Sequence, residues 1–235
     1  MFRIITAFAK NSPLSLVNPL EKLLLTILPV IIMGFYKGRI IVFLNIAFFL
    51  ILHIIFKNPF RVVAKFILAV ALFTAISSIT MVFDYGIEYC INLILKGISS
   101  GTAISFLVLT TSLDDILNFF SKVDFLRDIC DIAKSMERFL VLLEDEYIIL
   151  KAAFTSRCGF SGCISSVKDY GRLFALLFMN TIRRWKEIKT AVESRCFNGK
   201  TVYLKKYNCA SKDRLMLISL YNLLLLTGVL YVSHK

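Results

Sequence analysis

The stretch LMLISLYNLLLLTGVLYV, residues 215–232, decides the class of fold, because it holds no Asp, Glu, Lys or Arg at all. A bilayer core about 30 Å thick is crossed by roughly 20 mostly apolar helical residues, so this run reads as a membrane span. The rest of the chain agrees. Of its 235 residues 57% are hydrophobic and 19% charged, with a mean hydropathy of +0.74. An ordinary soluble domain is about 45–50% apolar and about 25% charged. The sequence therefore predicts an all-α integral membrane protein.

Working outward, Leu20 to Tyr36 is a span if Glu21 and Lys22 stand at the membrane interface, and Ile40 to Phe56 follows after the Lys37-Gly38-Arg39 turn. Val62 to Phe83 comes next, after the aqueous turn KNPFR at 57–61. A fourth span, about Ile87 to Thr111, is interrupted by Glu88, Asn92, Lys96 and the small residues of SSG. About five transmembrane helices are expected. Residues 112–214 differ in kind, with 18 Lys+Arg and 13 Asp+Glu, too charged to cross a bilayer as a unit. Three helices are expected there, near Leu113 to Lys122, Cys130 to Arg157 and Val167 to Arg195; Met136, Phe139, Leu140, Leu143 and Tyr147 share one face of the second. The chain divides into a membrane region at 1–111, a charged helical region at 112–214 and a final span with the C-terminus at 215–235.

The formal net charge is +12. In a chain this apolar, such an excess points first to cytoplasmic loops under the positive-inside rule, and not to nucleic acid. With 112–214 placed inside, the N-terminus is cytoplasmic, the short acidic loop at Asp84 to Glu88 is external, and Lys37 and Arg39 dissent. MFRIITAFAKNSPLSL at the start lacks a small-residue cleavage site, and a cleaved signal is not expected. The six cysteines, Cys90, Cys130, Cys158, Cys163, Cys196 and Cys209, follow no zinc or redox spacing, and with only His53 and His234 beside them they read as free thiols and no metal site.

Within the charged region one pattern occurs twice. AAFTSRCGFSG at 152–162 and AVESRCFNG at 191–199 each end a helical period, and their arginines lie 38 positions apart. In each, Ala153 or Ala191 stands three residues before the serine; Ser156, Arg157 and Cys158 match Ser194, Arg195 and Cys196; Phe160 or Phe197 and then a glycine, Gly199 in the second copy, follow. An arginine at a helix C-terminus complements the helix dipole by about 0.3–1 kcal/mol. That accounts for one copy, whereas the repeat of the same neighbours reads as two equivalent plugs for a partner.

Here the sequence resembles a family. SPLSLVNPLEKLL at 12–24 is similar to the Ser-Pro-Leu…Asp-Pro-Arg-x-Lys-Leu-Leu signature of the transmembrane T component of energy-coupling factor (ECF) transporters, and TTSLDDILNFFSKV at 110–123 to the segment after that family's spans. LLEDEYIILKAAFTSRCGF and RRWKEIKTAVESRCFNG resemble its two coupling helices, whose Ala-Arg-Gly ends dock on a pair of ATPases; the AVESRCFNG form looks most like the cobalt/nickel (CbiQ) branch. The resemblance implies long cytoplasmic coupling helices, docking through Ser156, Arg157, Cys158, Ser194, Arg195 and Cys196, and support from Glu146, Ala153, Ala191 and Gly199. It implies as partners two ABC-type ATPases, which bind the ATP, and a substrate-capture membrane subunit (S component), in the plasma membrane of a prokaryote. The departures are Asn18 for the family's Asp, and Ser and Cys flanking each arginine in place of Ala and Gly.

The carboxylates Glu144, Asp145 and Glu146 are consecutive, so on a helix they do not converge on one substrate; Glu146 is the one expected to hold the two coupling helices together. Glu88, Asn92 and Lys96 share a helix face, and charge at membrane depth is a functional candidate. No Gly-x4-Gly-Lys-Ser/Thr loop is present, so no ATP or other cofactor is expected on this chain. The expected function is coupling in cobalt or nickel uptake, without catalysis. A vitamin ECF transporter is the alternative, and behind it an intramembrane enzyme, for which the spans offer only scattered Glu88, Lys96 and His53, or an autonomous permease.

Overall fold

The computed structural model describes residues 2–36, 38–196 and 211–233, and these are helical with no strand among them. The helices are α1 (Phe2–Asn11), α2 (Pro19–Phe35), α3 (Ile40–Ile55), α4 (Phe60–Tyr85), α5 (Ile87–Thr110), α6 (Leu113–Phe120), α7 (Asp124–Ser156), α8 (Cys163–Glu193) and α9 (Lys212–Ser233). They fall into two compact units, one made of the chain up to Phe119 together with α9, the other centred on α7 and α8.

The boundaries follow local chemistry. Pro19 opens α2, where a missing N–H is harmless, and the Asn18 side chain accepts from the Leu20 N–H at 3.1 Å, satisfying an orphan donor. Pro59 precedes α4. Gly86, at φ 80°, turns α4 directly into α5 through a backbone conformation that a side chain would resist. The Asp115 N–H meets Ser112 Oγ at 3.3 Å at the start of α6, where Asp114 and Asp115 complement the dipole.

By length and composition α4, α5 and α9 are able to cross a membrane. α3 is apolar but 16 residues long, and α2 has 17 with Glu21 and Lys22 in its first turn and Pro29 inside. Two helices begin earlier than the sequence pattern suggested. α7 starts at Asp124, ahead of Cys130, because the apolar period already runs through Phe125, Ile129, Ile132 and Met136 and Asp124 favours an N-terminus. α8 starts at Cys163, ahead of Val167. α1 was not anticipated; its residues Phe2, Ile5, Phe8 and Ala9 recur at helical spacing in a run too short to stand out by hydropathy.

In the first unit α5 is the hub, packing on α2, α3 and α4, while α9 packs on α2 and α3. Its contact face is made of small residues. A Cβ on Gly97 would stand 2.5 Å from Thr74 Cγ2, and one on Gly101 would stand 3.2 Å from Val70 Cβ. Such spacing of small residues lets membrane helices approach closely, so the SSG segment that weakens the hydropathy signal is the packing surface itself. Ile32, Met33, Tyr36, Val42 and Leu225 form one buried cluster between α2, α3 and α9, and Phe49, Ala103 and Phe106 a second between α3 and α5.

Thr74 has little freedom to withdraw, because its Oγ1 is bonded to the carbonyls of Val70 and Ala71, both at 3.0 Å. Gly97→Val should therefore lower the stability of the detergent-purified chain by about 1–3 kcal/mol, read as a fall in melting temperature. Gly34→Ala, with no atom within 4 Å of the added carbon, should leave it unchanged.

Candidate functional site

The two Ser-Arg-Cys segments end α7 and α8 with the same backbone chemistry. Ser156 Oγ donates to the Ala152 carbonyl at 2.8 Å and Ser194 Oγ to the Thr190 carbonyl at 2.8 Å. The Arg157 N–H reaches the Phe154 carbonyl at 3.2 Å and the Arg195 N–H the Val192 carbonyl at 3.1 Å, the tighter three-residue step that closes a helix. The Cys158 N–H then meets the Thr155 carbonyl at 3.2 Å, and the Cys196 N–H the Glu193 carbonyl at 3.0 Å. Each cysteine turns left-handed, Cys158 at φ 56° and Cys196 at φ 52°. That is the position at which helices usually place glycine. For another residue the left-handed backbone costs roughly 1–2 kcal/mol.

Both arginines are exposed, as are both cysteines, both serines, Ala153 and Ala191. Gly199 and Phe197 lie outside the described residues. α8 begins just after the first tip and ends just before the second, and its 31 residues at about 1.5 Å each set a rod of about 46 Å between them. One tip therefore sits at the closed end of the α7–α8 hairpin and the other at the far end of α8.

Asp169, buried on α8, ties down the closed end: its Oδ2 accepts from the Phe160 N–H at 3.1 Å and from Ser165 Oγ at 3.5 Å, and Arg172 lies 3.6 Å from Oδ1. The Phe160 ring packs beside those of Phe154 and Tyr170, with centroids 6.2 and 4.6 Å away. At the middle of the hairpin Glu146 of α7 joins α8 twice. Oε1 accepts from Asn180 Nδ2 at 2.7 Å, and Oε2 pairs with the Arg184 guanidinium at 3.1 Å. Beside that pair Met136, Phe139, Leu140, Leu143, Ile182 and Trp185 line an apolar groove. Asp169, Asn180 and Arg184 were not identified from sequence; the signal for them is the hairpin register, which sequence periodicity does not fix.

The charged residues of the membrane unit also find partners. Arg39 donates to Asn92 Oδ1 at 2.7 Å and stands 3.7 Å from Glu88, while Lys96 Nζ donates to the Gly34 carbonyl at 3.0 Å, so the Glu88, Asn92 and Lys96 face fastens the α2–α3 turn to α5. Glu21 and Lys22 are buried by neighbouring helices. Glu21 accepts from the Ser211 N–H at 3.1 Å and lies 3.6 Å from Arg214, and Lys22 donates to the Thr110 carbonyl at 2.8 Å. Asn58 Nδ2 donates to His53 Nδ1, which leaves Nε2–H to donate to Ser105 Oγ at 2.9 Å. Among the described residues all cysteines are free, and no three His, Cys, Asp or Glu side chains gather as a metal ion requires. Cys130 is buried in α7, where desolvation pushes its thiol pKa up, with a smaller push from Asp131.

Glu146→Ala should destabilise the chain by about 1–3 kcal/mol, because it strands Asn180 and leaves Arg184 unpaired; the half-exposed guanidinium keeps the loss toward the lower end. Glu146→Gln should fall between the two, since its amide oxygen still serves Asn180. Thermal unfolding in detergent distinguishes the three proteins.

A family model described as CbiQ, cobalt transport protein, matches residues 10–204. Uncharacterized protein MJ1089 of Methanocaldococcus jannaschii is 26% identical over 145 residues, which is 62% of this chain and 54% of that protein, so the chain spans about half the length of this curated relative. With five-sixths of the sequence inside the family match and an all-helical fold bearing membrane-length apolar helices, the chain belongs to the CbiQ cobalt transport family, the T components of ECF transporters, and is a membrane component of that transport type.

Proposed function

We propose that this protein is the coupling subunit of an ECF-type importer, joining two ABC-type ATPases to a substrate-capture membrane subunit for cobalt or nickel uptake, without catalysing a reaction or binding ATP itself. The observation that carries this reading is the pair of tips: two exposed arginines on helix ends of the same geometry, held apart by one continuous helix. An arginine is always charged and presents five donors in a fixed fork, suited to a carboxylate or to carbonyls in a partner's groove. Two equivalent tips call for two equivalent grooves. ATP-driven closure of the ATPases then shifts the grooves relative to each other, and the hairpin, clamped by Glu146 and Asp169, passes the displacement on as a body. Only a difference in affinity between the open and closed ATPase states can drive such a shift, and charged tips supply it.

The removal of the arginines separates docking from helix capping. Arg157→Ala and Arg195→Ala each lose a dipole contribution of about 0.3–1 kcal/mol, so the chain should still insert and accumulate. A charge-assisted contact desolvated in a groove is worth more, commonly about 2–5 kcal/mol when the partner carboxylate is left unpaired. Each single variant should weaken ATPase co-purification and uptake, and the double variant should abolish uptake at normal membrane abundance; lysine should rescue in part. A double Ala variant that binds ATPases and supports uptake like the parent removes the coupling role.

The proposed location is the cell membrane of a prokaryote, with the N-terminus and the α7–α8 unit in the cytoplasm and the α4–α5 turn outside. A single cysteine at Asp84, in a chain freed of native cysteines, should react with an impermeant thiol reagent applied to intact cells. A single cysteine kept at Cys158 should react only after the membrane is opened. Labelling of both from outside would overturn the orientation.

A further inference from the structure

α3 and α9 pack together beyond Tyr221, where Val42 and Leu225 share a buried cluster, and part before it. Tyr221 marks the closed end: its ring stacks on Phe48 with centroids 4.2 Å apart, and its hydroxyl donates to Asn45 Oδ1 at 2.8 Å. From there toward Phe56 of α3 and Arg214 of α9 runs a cavity of about 560 Å³, lined by Leu25, Leu52, Phe106, Leu220 and Leu224. Phe48 and Phe56 are eight positions apart and Tyr221 and Arg214 seven, which makes the slot about 10–12 Å deep. One leaflet of hydrocarbon is about 15 Å thick, so the slot lies within a single leaflet and opens at its surface. The walls are almost wholly apolar, and the polar residues on them turn their polar atoms elsewhere: Lys22 to the Thr110 carbonyl at 2.8 Å, Glu21 to the Ser211 N–H at 3.1 Å, Tyr221 to Asn45. Charge stands at the open end. Arg214 lies there with its side chain 43% exposed, held on one side by the buried Glu21 carboxylate at 3.6 Å, and Lys212 and Asp213, both exposed, precede it.

We propose that this slot binds one acyl chain of an anionic phospholipid whose phosphate is held by Arg214. An apolar cavity stays dry, so neither water nor a hydrated solute fills it. A transmembrane helix is about 10–12 Å across and needs a groove along the whole ~30 Å of hydrocarbon, whereas the slot stops at Phe48 and Tyr221. An acyl chain is narrow, ends within one leaflet and supplies the packing contacts that the walls otherwise lack. The arginine selects the headgroup, because its exposed donors form a planar fork that meets a phosphate through two parallel hydrogen bonds. Glu21 acts through Arg214 and keeps that fork at the mouth. The inference stands apart from the coupling reading; the proposed orientation adds only that the mouth faces the cytoplasmic leaflet, where anionic lipids gather.

The test places the full chain in phosphatidylcholine vesicles that contain a trace of phosphatidylglycerol with a diazirine in its acyl chain. After irradiation, adducts should concentrate on Leu52 and Leu220, well above Phe73 and Ile76, which stand exposed on α4 and meet bulk lipid. Unlabelled phosphatidylglycerol should compete about tenfold better than added phosphatidylcholine. Leu52→Trp, which fills the slot, should lose the adducts at Leu220 while keeping those on α4. Arg214→Gln should keep the slot adducts and lose the preference for phosphatidylglycerol; this second variant leaves the cavity open, so it reads the headgroup contact even if the first folds poorly. The parent labelled in native membranes, where any partner chain is present, should show the same slot adducts. Adducts spread evenly over α3, α4 and α9 mean bulk lipid only and overturn the proposal, as does a parent that takes both lipids alike. Slot adducts present in vesicles but absent in native membranes assign the slot to a protein and overturn it too.

Discussion

Hydrocarbon offers no hydrogen bonds, so every polar side chain carried into the membrane unit has to be satisfied within its own helix or by a neighbouring one, and that constraint arranges the unit around α5. Ser99, Thr102, Ser105 and Thr110 lie buried along it with Gly97 and Gly101. Each either closes on its own helix or meets a neighbour. Asn45 of α3 donates to Ser99 Oγ at 3.1 Å and accepts from Tyr221 of α9 at 2.8 Å, so one amide ties three helices. His53 reaches Ser105, and Lys22 of α2 reaches the Thr110 carbonyl. Apolar packing alone discriminates weakly between helix registers in lipid, where a side chain is as comfortable outside the bundle as within it. The polar ties fix which helix lies where. Among the described residues only Thr111 Oγ1 and Asn222 Oδ1 are buried side-chain oxygens without a partner.

The α7–α8 unit solves the opposite problem. Long helices that project tips need stiffness without a large core, and α7 and α8 bury few residues completely, Cys130, Glu137, Asp169 and Leu173 among them. Stiffness comes instead from continuous backbone hydrogen bonding along each helix and from two carboxylates placed at different heights of the hairpin. Glu146 clamps α7 to α8 at the middle, so relative sliding of the helices would break its charged contact, and Asp169 holds the connecting turn to the start of α8.

Much of this was legible in the sequence, and the illegible part has a common cause. Apolar runs located α2 to α5 and α9 to within a few residues, because spanning length and composition are local properties. The Ser-Arg-Cys repeat and the glycines after it marked the helix ends for the same reason. Glu146 was singled out among three consecutive carboxylates, but its partners Asn180 and Arg184 were not, since pairing across a hairpin depends on a register that no short window contains. Glu21 and Lys22, expected at the membrane interface, are buried under Arg214, Ser211 and Thr110, contacts 88 to 193 positions away in sequence. The SSG segment read as a defect in a span and proved to be its packing face; hydropathy scores a residue alone, whereas small residues matter through what they let come near. The left-handed cysteines belong to the same class, because a sequence shows a departure from glycine but not the angle that makes it costly.

The basic turn between α2 and α3 illustrates how such contacts alter a rule read from sequence. Arg39 opposes the positive-inside bias when counted as a free charge on the side proposed to be external. In the folded chain its guanidinium faces Glu88 at 3.7 Å and Asn92 at 2.7 Å, on the helix that begins with the external turn. A cation paired in this way presents little net charge to the membrane potential, and its partner sits at the same end of the bundle, so the two report one location together. The region from Ser112 to Arg214 is itself basic, with Lys and Arg outnumbering Asp and Glu by 18 to 13. That balance agrees with the cytoplasmic placement proposed for α7 and α8.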